Sequence, residues 1–218
     1  MPGLQAAVVP VTPFQQNCAL IWDSDTKRGV VIDPGGDVPR IMETLDKLGV
    51  TVESILLTHG HVDHAAGAAA LKEALTKDGV APPIVGPDVR DKFLLDGLGE
   101  QGAAFGIAGA RAVTPDRFLV EGDTVKIGGA DFSVLHCPGH TPGHVVFFNA
   151  DARFAVVGDV LFRGSVGRTD FPYGDTKALI ESIRVKLFPL GDDVSFICGH
   201  GPGSTLGTER ESNPFVRG

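Results

Sequence analysis

A short segment near residue 60 concentrates side chains that bind metal ions. It reads His59-Gly-His61-Val-Asp63-His64 and directly follows an apolar run. In an extended chain alternate side chains share a face, so His59 and His61 point the same way, and Asp63 and His64 fall where the chain turns towards the next helix. Alone, Asp63 would be interpreted as the N-cap of that helix. Beside three histidines it is favoured as a metal ligand instead.

The same arrangement recurs at three later points in the chain. Each time, a predicted strand ends in glycine followed by a potential ligand: Gly139-His140, Gly158-Asp159 and Gly199-His200. Glycine permits a sharp turn, and α/β proteins bind ligands at the carboxyl ends of their strands. We therefore expect four junctions to meet in one pocket. Their seven nitrogen and oxygen donors suit Zn, Fe or Mn, and they predict two metal ions, or one ion with spare partners.

Hydrophobic periodicity indicates the elements that must position these side chains. Predicted strands cover residues 6–11, 19–22, 30–32, 54–58, 118–127, 132–135, 145–148, 154–157 and 194–198. One predicted helix contains Ile41, Leu45 and Leu48 and stops at Gly49, and others cover residues 65–77, 88–95 and 175–187. This β-then-α order indicates an α/β protein, and no linker or repeat divides residues 1–218, so we expect one domain.

Residues 97–115 are rich in glycine and alanine and show little periodicity, which predicts a loop or lid. Within them, Gly97-Leu-Gly99-Glu-Gln-Gly102 matches the dinucleotide-binding fingerprint. That fingerprint needs a preceding strand, whereas the preceding residues are typical of the end of a helix. The nucleotide interpretation is therefore disfavoured.

Composition excludes several functional classes. Hydrophobic residues make up 43% of the 218 residues, enough for a buried core, and the net charge of −8 disfavours a nucleic-acid partner. Three cysteines without a Cys-x-x-Cys pair suggest neither a disulfide framework nor a thiolate zinc site. With no apolar run long enough to cross a membrane and no signal peptide, we expect a cytoplasmic protein without a membrane partner.

The His59-x-His61-x-Asp63-His64 motif, with His140, Asp159 and His200, resembles the metal signature of the metallo-β-lactamase fold superfamily. The resemblance implies an α/β (α+β) fold, a four-layer αββα sandwich of two mixed sheets packed face to face with helices outside. Residues 135–144 and 31–36 are similar to the glyoxalase II (hydroxyacylglutathione hydrolase) branch. Only 18 residues follow His200, so no residue of that branch's helical C-terminal glutathione-binding domain is carried over.

The resemblance also implies roles for the seven donors. His59, His61 and His140 would hold the first metal, Asp63, His64 and His200 the second, and Asp159 would bridge both. Two divalent cations, most simply Zn²⁺, lower the pKa of a shared water so that hydroxide exists near neutral pH. Asp63 would aim that nucleophile at the carbonyl of a small-molecule thioester, and the thiolate leaves without a strong general acid.

A second resemblance points to a different reaction. Gly167-Arg-Thr-Asp-Phe171 is similar to a segment of persulfide dioxygenases of this fold, in which two histidines and one carboxylate hold a single Fe(II). His59, His140 and Asp159 would form that triad. Hydrolysis is favoured because the chain carries a full second set of candidate ligands, Asp63, His64 and His200, which an oxygenase with a single iron does not need. A lactonase or β-lactamase activity is left open, because the motifs are shared across the fold. The net negative charge disfavours nuclease activity. A purely structural zinc site would be richer in cysteine.

The remaining polar residues near the motifs have weaker signals. Arg163, Arg168 and Tyr173 follow Asp159 and are candidates for substrate contact, although a solvated loop explains them equally well. His136 is expected to be a structural histidine, and His144 either orients His140 or has a structural role. Cys137 and Cys198 are expected to be small buried apolar residues. The oligomeric state is left open.

Overall fold

A computed structural model describes residues 3–217. The first sheet has the strand order β1-β2-β3-β4-β5, formed by Leu4–Val11, Gln16–Asp23, Arg28–Ile32, Thr51–Leu56 and Ile84–Val85. The second has the order β13-β12-β9-β8-β7-β6, formed by Ser204–Thr205, Ser195–Cys198, Phe154–Gly158, Val145–Asn149, Ala130–His136 and Thr124–Ile127. Strands β10 (Leu161–Phe162) and β11 (Ser165–Val166) form a small hairpin. Both large sheets are mixed, because β3–β4, β4–β5 and β9–β12 pair in parallel and their other neighbours pair antiparallel.

Seven α-helices in the described residues connect these strands. They are α1 (Val38–Leu48), α2 (Val62–Ala65), α3 (Ala68–Leu75), α4 (Lys92–Asp96), α5 (Leu98–Phe105), α6 (Thr176–Glu181) and α7 (Leu206–Ser212). A 3₁₀ turn at Val89–Asp91 precedes α4, and a π-helical stretch at Ser182–Leu187 and a 3₁₀ turn at Phe188–Leu190 extend α6. Among the described helices, none combines the length and the apolar character needed to cross a bilayer.

Three hydrophobic clusters define four layers. Alternate residues of β3 point to opposite faces: Val30 and Ile32 pack with Phe132 and Phe147 of the second sheet, and Val31 packs outward. The outer face of the first sheet is covered by α1 and α3, and that of the second sheet by α6 and its extension. This confirms the predicted αββα sandwich.

Several predicted boundaries were wrong. Residues 97–115 are not simply a loop, because α5 occupies part of them; its glycine and alanine content hides the buried stripe formed by Leu98 and Gly102. The predicted helix 65–77 is interrupted between α2 and α3, where Gly67 packs so closely on the Pro34 carbonyl that a Cβ would lie 2.4 Å from its oxygen. Of the predicted strand 118–127, only β6 is extended, and α7 was missed.

Candidate metal centre

The motif segment begins where β4 ends, and an aspartate from the end of β3 holds it. Thr58 donates to Asp33 twice, from its backbone N to Oδ1 at 2.7 Å and from Oγ1 to Oδ2 at 2.6 Å. Asp33 has a left-handed backbone conformation, with φ at 53°. Its Oδ2 also lies 3.0 Å from His64 Nδ1. Asp33 thereby fixes the ring of His64 with Nε2 turned away from it.

One group of donors consists of His59, His61 and His140, all buried, with one nitrogen of each lying within 4.8 Å of the others. His59 Nε2 and His61 Nδ1 are 3.1 Å apart. His140 comes from the loop after β7, and its Nδ1 donates to the Arg168 carbonyl at 2.8 Å, so that Nε2 is the nitrogen left for the group. The three imidazoles converge as ligands of one ion would.

A second group consists of Asp63, His64 and His200, again with donor atoms within 4.8 Å of one another. Asp63 Oδ2 lies 3.2 Å from His200 Nε2 and 3.8 Å from His64 Nε2. Asp63 sits in the first turn of α2, and His200 follows β12. These residues come from two different strand ends, as the sequence predicts.

Asp159 lies between the two groups. Its Oδ1 is 3.3 Å from His64 Nε2, and its Oδ2 is 3.5 Å from His140 Nε2 and 3.6 Å from His200 Nε2. One carboxylate therefore faces histidines of both groups. The structure brings all seven predicted ligands together at one edge of the two sheets.

Unsatisfied polar atoms indicate what these groups hold. Within residues 3–217, His64 Nε2, His140 Nε2 and Asp159 Oδ1 are buried and have no hydrogen-bond partner. Buried polar atoms are normally paired, and an unpaired one requires an explanation such as an ion. Divalent cations bound to these nitrogens and oxygens satisfy them, so the residues fit a metal site.

Burial sets the protonation of the histidines that would be ligands. Burial, reinforced by the charge of neighbouring histidines, lowers the pKa of His61 to about 3 and lowers that of His59 well below its usual value. Burial likewise lowers the pKa of His140 and of His144. We call these four the low-pKa histidines. Their neutral imidazoles carry the lone pair that a metal requires.

The carboxylates and the other histidines have opposite shifts. Burial raises the pKa of Asp63 and Asp159, but the charge of His64 and contacts with other histidines outweigh it, so both carboxylates stay ionised. Burial lowers the pKa of His64, yet Asp159 and Asp63 outweigh that effect and raise it. Burial lowers the pKa of His200, but the hydrogen bond that His200 donates to Asp63 and the charge of Asp159 overcome that effect and raise it. The centre thus has two anionic residues ready to bind cations.

Two further histidines lie outside the groups. His144 does not orient His140: its Nε2 accepts from the Asp159 backbone N at 3.0 Å, and its ring stacks on that of His59 with centroids 4.7 Å apart. It therefore supports Asp159 and His59. His136 contacts the Pro142 carbonyl at 2.8 Å and lies outside the donor groups, as expected for a structural histidine. Cys137 and Cys198 are buried apolar residues, as predicted.

A cleft of about 810 Å³ opens onto the centre. Six aromatic side chains line it: Phe14, Phe93, Phe105, Phe162, Phe171 and Tyr173. Tyr173 is also bound to the centre, since its hydroxyl lies 2.9 Å from His61 Nε2. Arg168 lines the cleft with its guanidinium paired to Asp170 and 4.6 Å above the Phe171 ring. Arg163 is exposed and lies outside this lining.

Sequence reasoning named Arg168 and Tyr173, which line the cleft, but it missed the phenylalanines around them and the buried residue that supports the candidate ligands. Phe105 belongs to α5, within the segment predicted as a loop, and Phe93 belongs to α4, just before that segment. Asp91 is buried at the end of the 3₁₀ turn before α4, and its carboxylate contacts the loops on both sides of the centre. Single buried aspartates of this kind have no local motif. A signal for the aromatic residues existed only in their number, 13 phenylalanines in the chain.

Comparisons with known proteins agree with this geometry. The family model of the metallo-beta-lactamase superfamily matches residues 11–200. A relative from Haemophilus influenzae, named hydroxyacylglutathione hydrolase GloC, is 49% identical over 210 residues, covering 96% of each chain. The crystal structure of BLEG-1 B3 metallo-beta-lactamase is 33% identical with a TM-score of 0.88, covering 98% of this chain and 100% of that one. The structure of TTHA1623 in a di-iron-bound form is 37% identical with a TM-score of 0.83, covering 96% and 100%.

The chain therefore belongs to the metallo-beta-lactamase superfamily. Within that superfamily it is a metallo-hydrolase, and the cluster of histidines and aspartates described above fits a metal-binding site. The predicted resemblance is confirmed at this level.

Proposed function

We propose that the protein is a binuclear metal hydrolase of the glyoxalase II type, which cleaves small-molecule thioesters such as S-lactoylglutathione. The observation that carries this proposal is the position of Asp159, whose two oxygens face histidines of both donor groups. A carboxylate in this position would bridge two cations, one held by each group. The name of the Haemophilus influenzae relative supports the thioester substrate, and the di-iron form of TTHA1623 supports two metals. We propose Zn²⁺ as the metal, with Fe or Mn as the alternatives.

The roles proposed for the chain's residues follow from the geometry. His59, His61 and His140 would hold one cation, Asp63, His64 and His200 the other, and Asp159 both. Two such cations, when bound, make hydroxide available near neutral pH and polarise a carbonyl. Asp63 directs Oδ2 towards His200, and its Oδ1 would accept a hydrogen bond from the attacking water and orient it. A thiolate leaving group requires no proton from the protein.

The cleft would bind the substrate. Its aromatic side chains offer apolar contact to the acyl group, while Tyr173 and Arg168 provide polar atoms next to the centre. We propose a small-molecule partner, with neither nucleic acid nor membrane involved. The cytoplasmic location also remains a proposal, supported by three buried free cysteines.

The persulfide dioxygenase alternative would use only His59, His140 and Asp159. It assigns no role to the second group, in which Asp63 and His200 lie 3.2 Å apart, so hydrolysis is favoured. Measuring metal per chain, thioester hydrolysis and oxygen uptake on one sample tests both. Two metals with thioester cleavage are expected. One iron per chain with persulfide-dependent oxygen consumption would overturn the proposal.

A further inference from the structure

Asp91 belongs to neither donor group, yet its carboxylate joins the two loops that carry the first group. Its side chain is fully buried. Oδ2 accepts from Gly60 N at 2.9 Å and from Thr141 Oγ1 at 2.7 Å, and Oδ1 accepts from Gly143 N at 2.5 Å. Gly60 separates His59 from His61, and Thr141 follows His140. One carboxylate thus holds both loops directly beside their ligands.

The packing around Asp91 leaves little freedom to either loop. A Cβ at Gly60 would lie 2.8 Å from Leu94 Cβ and 3.1 Å from the Asp91 carbonyl oxygen. A Cβ at Gly143 would lie 2.6 Å from Asp91 N. Both loops therefore pack backbone-to-backbone on the turn that ends at Asp91. The hydrogen bonds act at fixed positions because the chain cannot shift there without a clash.

We propose that Asp91 is a positioning residue for the first metal: by bonding to Gly60 and Thr141, it sets the separation between the His59–His61 pair and His140. Metal affinity depends on such outer contacts, whose loss costs about 10–100-fold. The inference rests on the ligand assignment in the proposed function, but it does not depend on the identity of the substrate.

The Asp91→Asn variant tests this proposal. Its amide keeps the shape of the carboxylate but places an NH2 group where one oxygen now accepts a hydrogen bond from the loops. Asp88→Asn is the matched control: Asp88 lies in the same turn and is 2% exposed, and in the described contacts its carboxylate accepts only from Arg90, at N (2.9 Å) and Nη1 (3.0 Å). Each protein is stripped with a chelator, checked for folding by circular dichroism, and titrated with Zn²⁺ against a chromophoric competitor. Asp91→Asn should weaken one of the two Zn²⁺ sites about 10–100-fold, whereas Asp88→Asn should bind as the unmodified protein does. Equal Zn²⁺ affinity in the two variants overturns the inference.

A second pair of variants serves if Asp91→Asn fails to fold. Thr141→Val removes only the hydroxyl donor, and Thr141→Ser keeps it. Valine should weaken the same Zn²⁺ site and alter the visible absorption of the Co²⁺-substituted protein, and serine should restore both. Identical Zn²⁺ affinity and Co²⁺ spectra for valine and serine overturn the link through Asp91. An unmodified protein that binds two Zn²⁺ but cleaves no thioester would overturn the proposed function alone.

Discussion

Replacing Asp159 with asparagine tests whether one carboxylate serves two metals. Asp159 is 7% exposed, and histidine nitrogens of both groups lie between 3.3 and 3.6 Å from its oxygens. Asparagine has the same size, removes the negative charge and replaces one acceptor oxygen with an NH2 group that cannot bind a cation. Any loss of metal therefore reports the charge and the bridge rather than a cavity.

A lower bound on the expected loss comes from two unit charges at this spacing, since a divalent cation beside the carboxylate would carry twice that charge. At an effective dielectric constant of about 20, two unit charges about 3.5 Å apart interact by about 5 kcal/mol. Removing one partner of a buried charge pair costs about 3–5 kcal/mol in measured cases. Because about 1.4 kcal/mol corresponds to tenfold in affinity, Asp159→Asn should bind metal at least about a hundredfold more weakly.

The assay is metal content per chain by elemental analysis after dialysis against a weak chelator, with thioester hydrolysis measured on the same samples. Asp193→Asn is a suitable control, since Asp193 is an exposed partner of Arg153 and is absent from both donor groups. The control should keep its metal and its activity. If Asp159→Asn or Asp159→Ala retained two metals per chain, the bridging assignment would be refuted.

Three further predictions concern pH, the cleft and the scaffold. In chelated protein the low-pKa histidines stay neutral when folded but take up protons when unfolded. His64 and His200, whose pKa is raised, are protonated in both states below about pH 6.5 and add no opposing change there. Stability should therefore fall as the pH drops below about 6.5, by up to about 1.4 kcal/mol per pH unit for each low-pKa histidine, and constant denaturation midpoints at pH 7 and 5.5 would contradict this. Phe105→Ala should remove about 1 kcal/mol of contact between the ring and the substrate, and so raise KM about fivefold for a thioester with an aromatic acyl group. If KM for the acetyl thioester rose equally, Phe105 would not contact the acyl group. Glu209 is buried and its carboxylate accepts from Gly164 N at 2.7 Å. Glu209→Gln should therefore lower the free energy of unfolding by about 1–3 kcal/mol and leave the Zn²⁺ affinity unchanged. Weakened Zn²⁺ binding in a variant of unchanged stability would show that Glu209 acts on the metal centre instead.

The convergence of the seven candidate ligands could be predicted from sequence because each lies in a local pattern. An apolar strand, a glycine or a tight turn, and then a histidine or aspartate are adjacent in the chain, as in Gly158-Asp159 at the end of β9. Strand ends of a layered sheet protein meet at an edge, so local patterns sufficed to place the residues together. The apolar residues 30–32 similarly predicted a strand, and in the structure β3 is buried on both faces.

The supporting contacts could not be predicted, because they join residues far apart in sequence. Asp91 and Thr141 are 50 positions apart, and nothing near either one indicates the other. His144 was associated with its neighbour His140, whereas the stacked ring is that of His59. The helix α5 escaped detection because glycine and alanine give a weak periodic signal even where they are buried.

The outer contacts of the histidines determine which nitrogen each presents to the centre. Four of the five histidines among the candidate ligands form a hydrogen bond through Nδ1 and leave Nε2 facing the centre. Their partners are Thr58 Oγ1 for His59, Asp33 for His64, the Arg168 carbonyl for His140 and the Phe14 carbonyl for His200. His61 is reversed, with Nε2 bound to the Tyr173 hydroxyl and Nδ1 next to His59 Nε2. Because a neutral imidazole that donates from one nitrogen carries its lone pair on the other, these partners prepare the rings of His59, His61 and His140 for metal before any ion arrives. His64 and His200, whose pKa is raised, would release the proton of Nε2 when a cation binds. The Tyr173 contact further implies that the cleft and the first metal are coupled, since a substrate that displaced the hydroxyl would release the ring of a ligand.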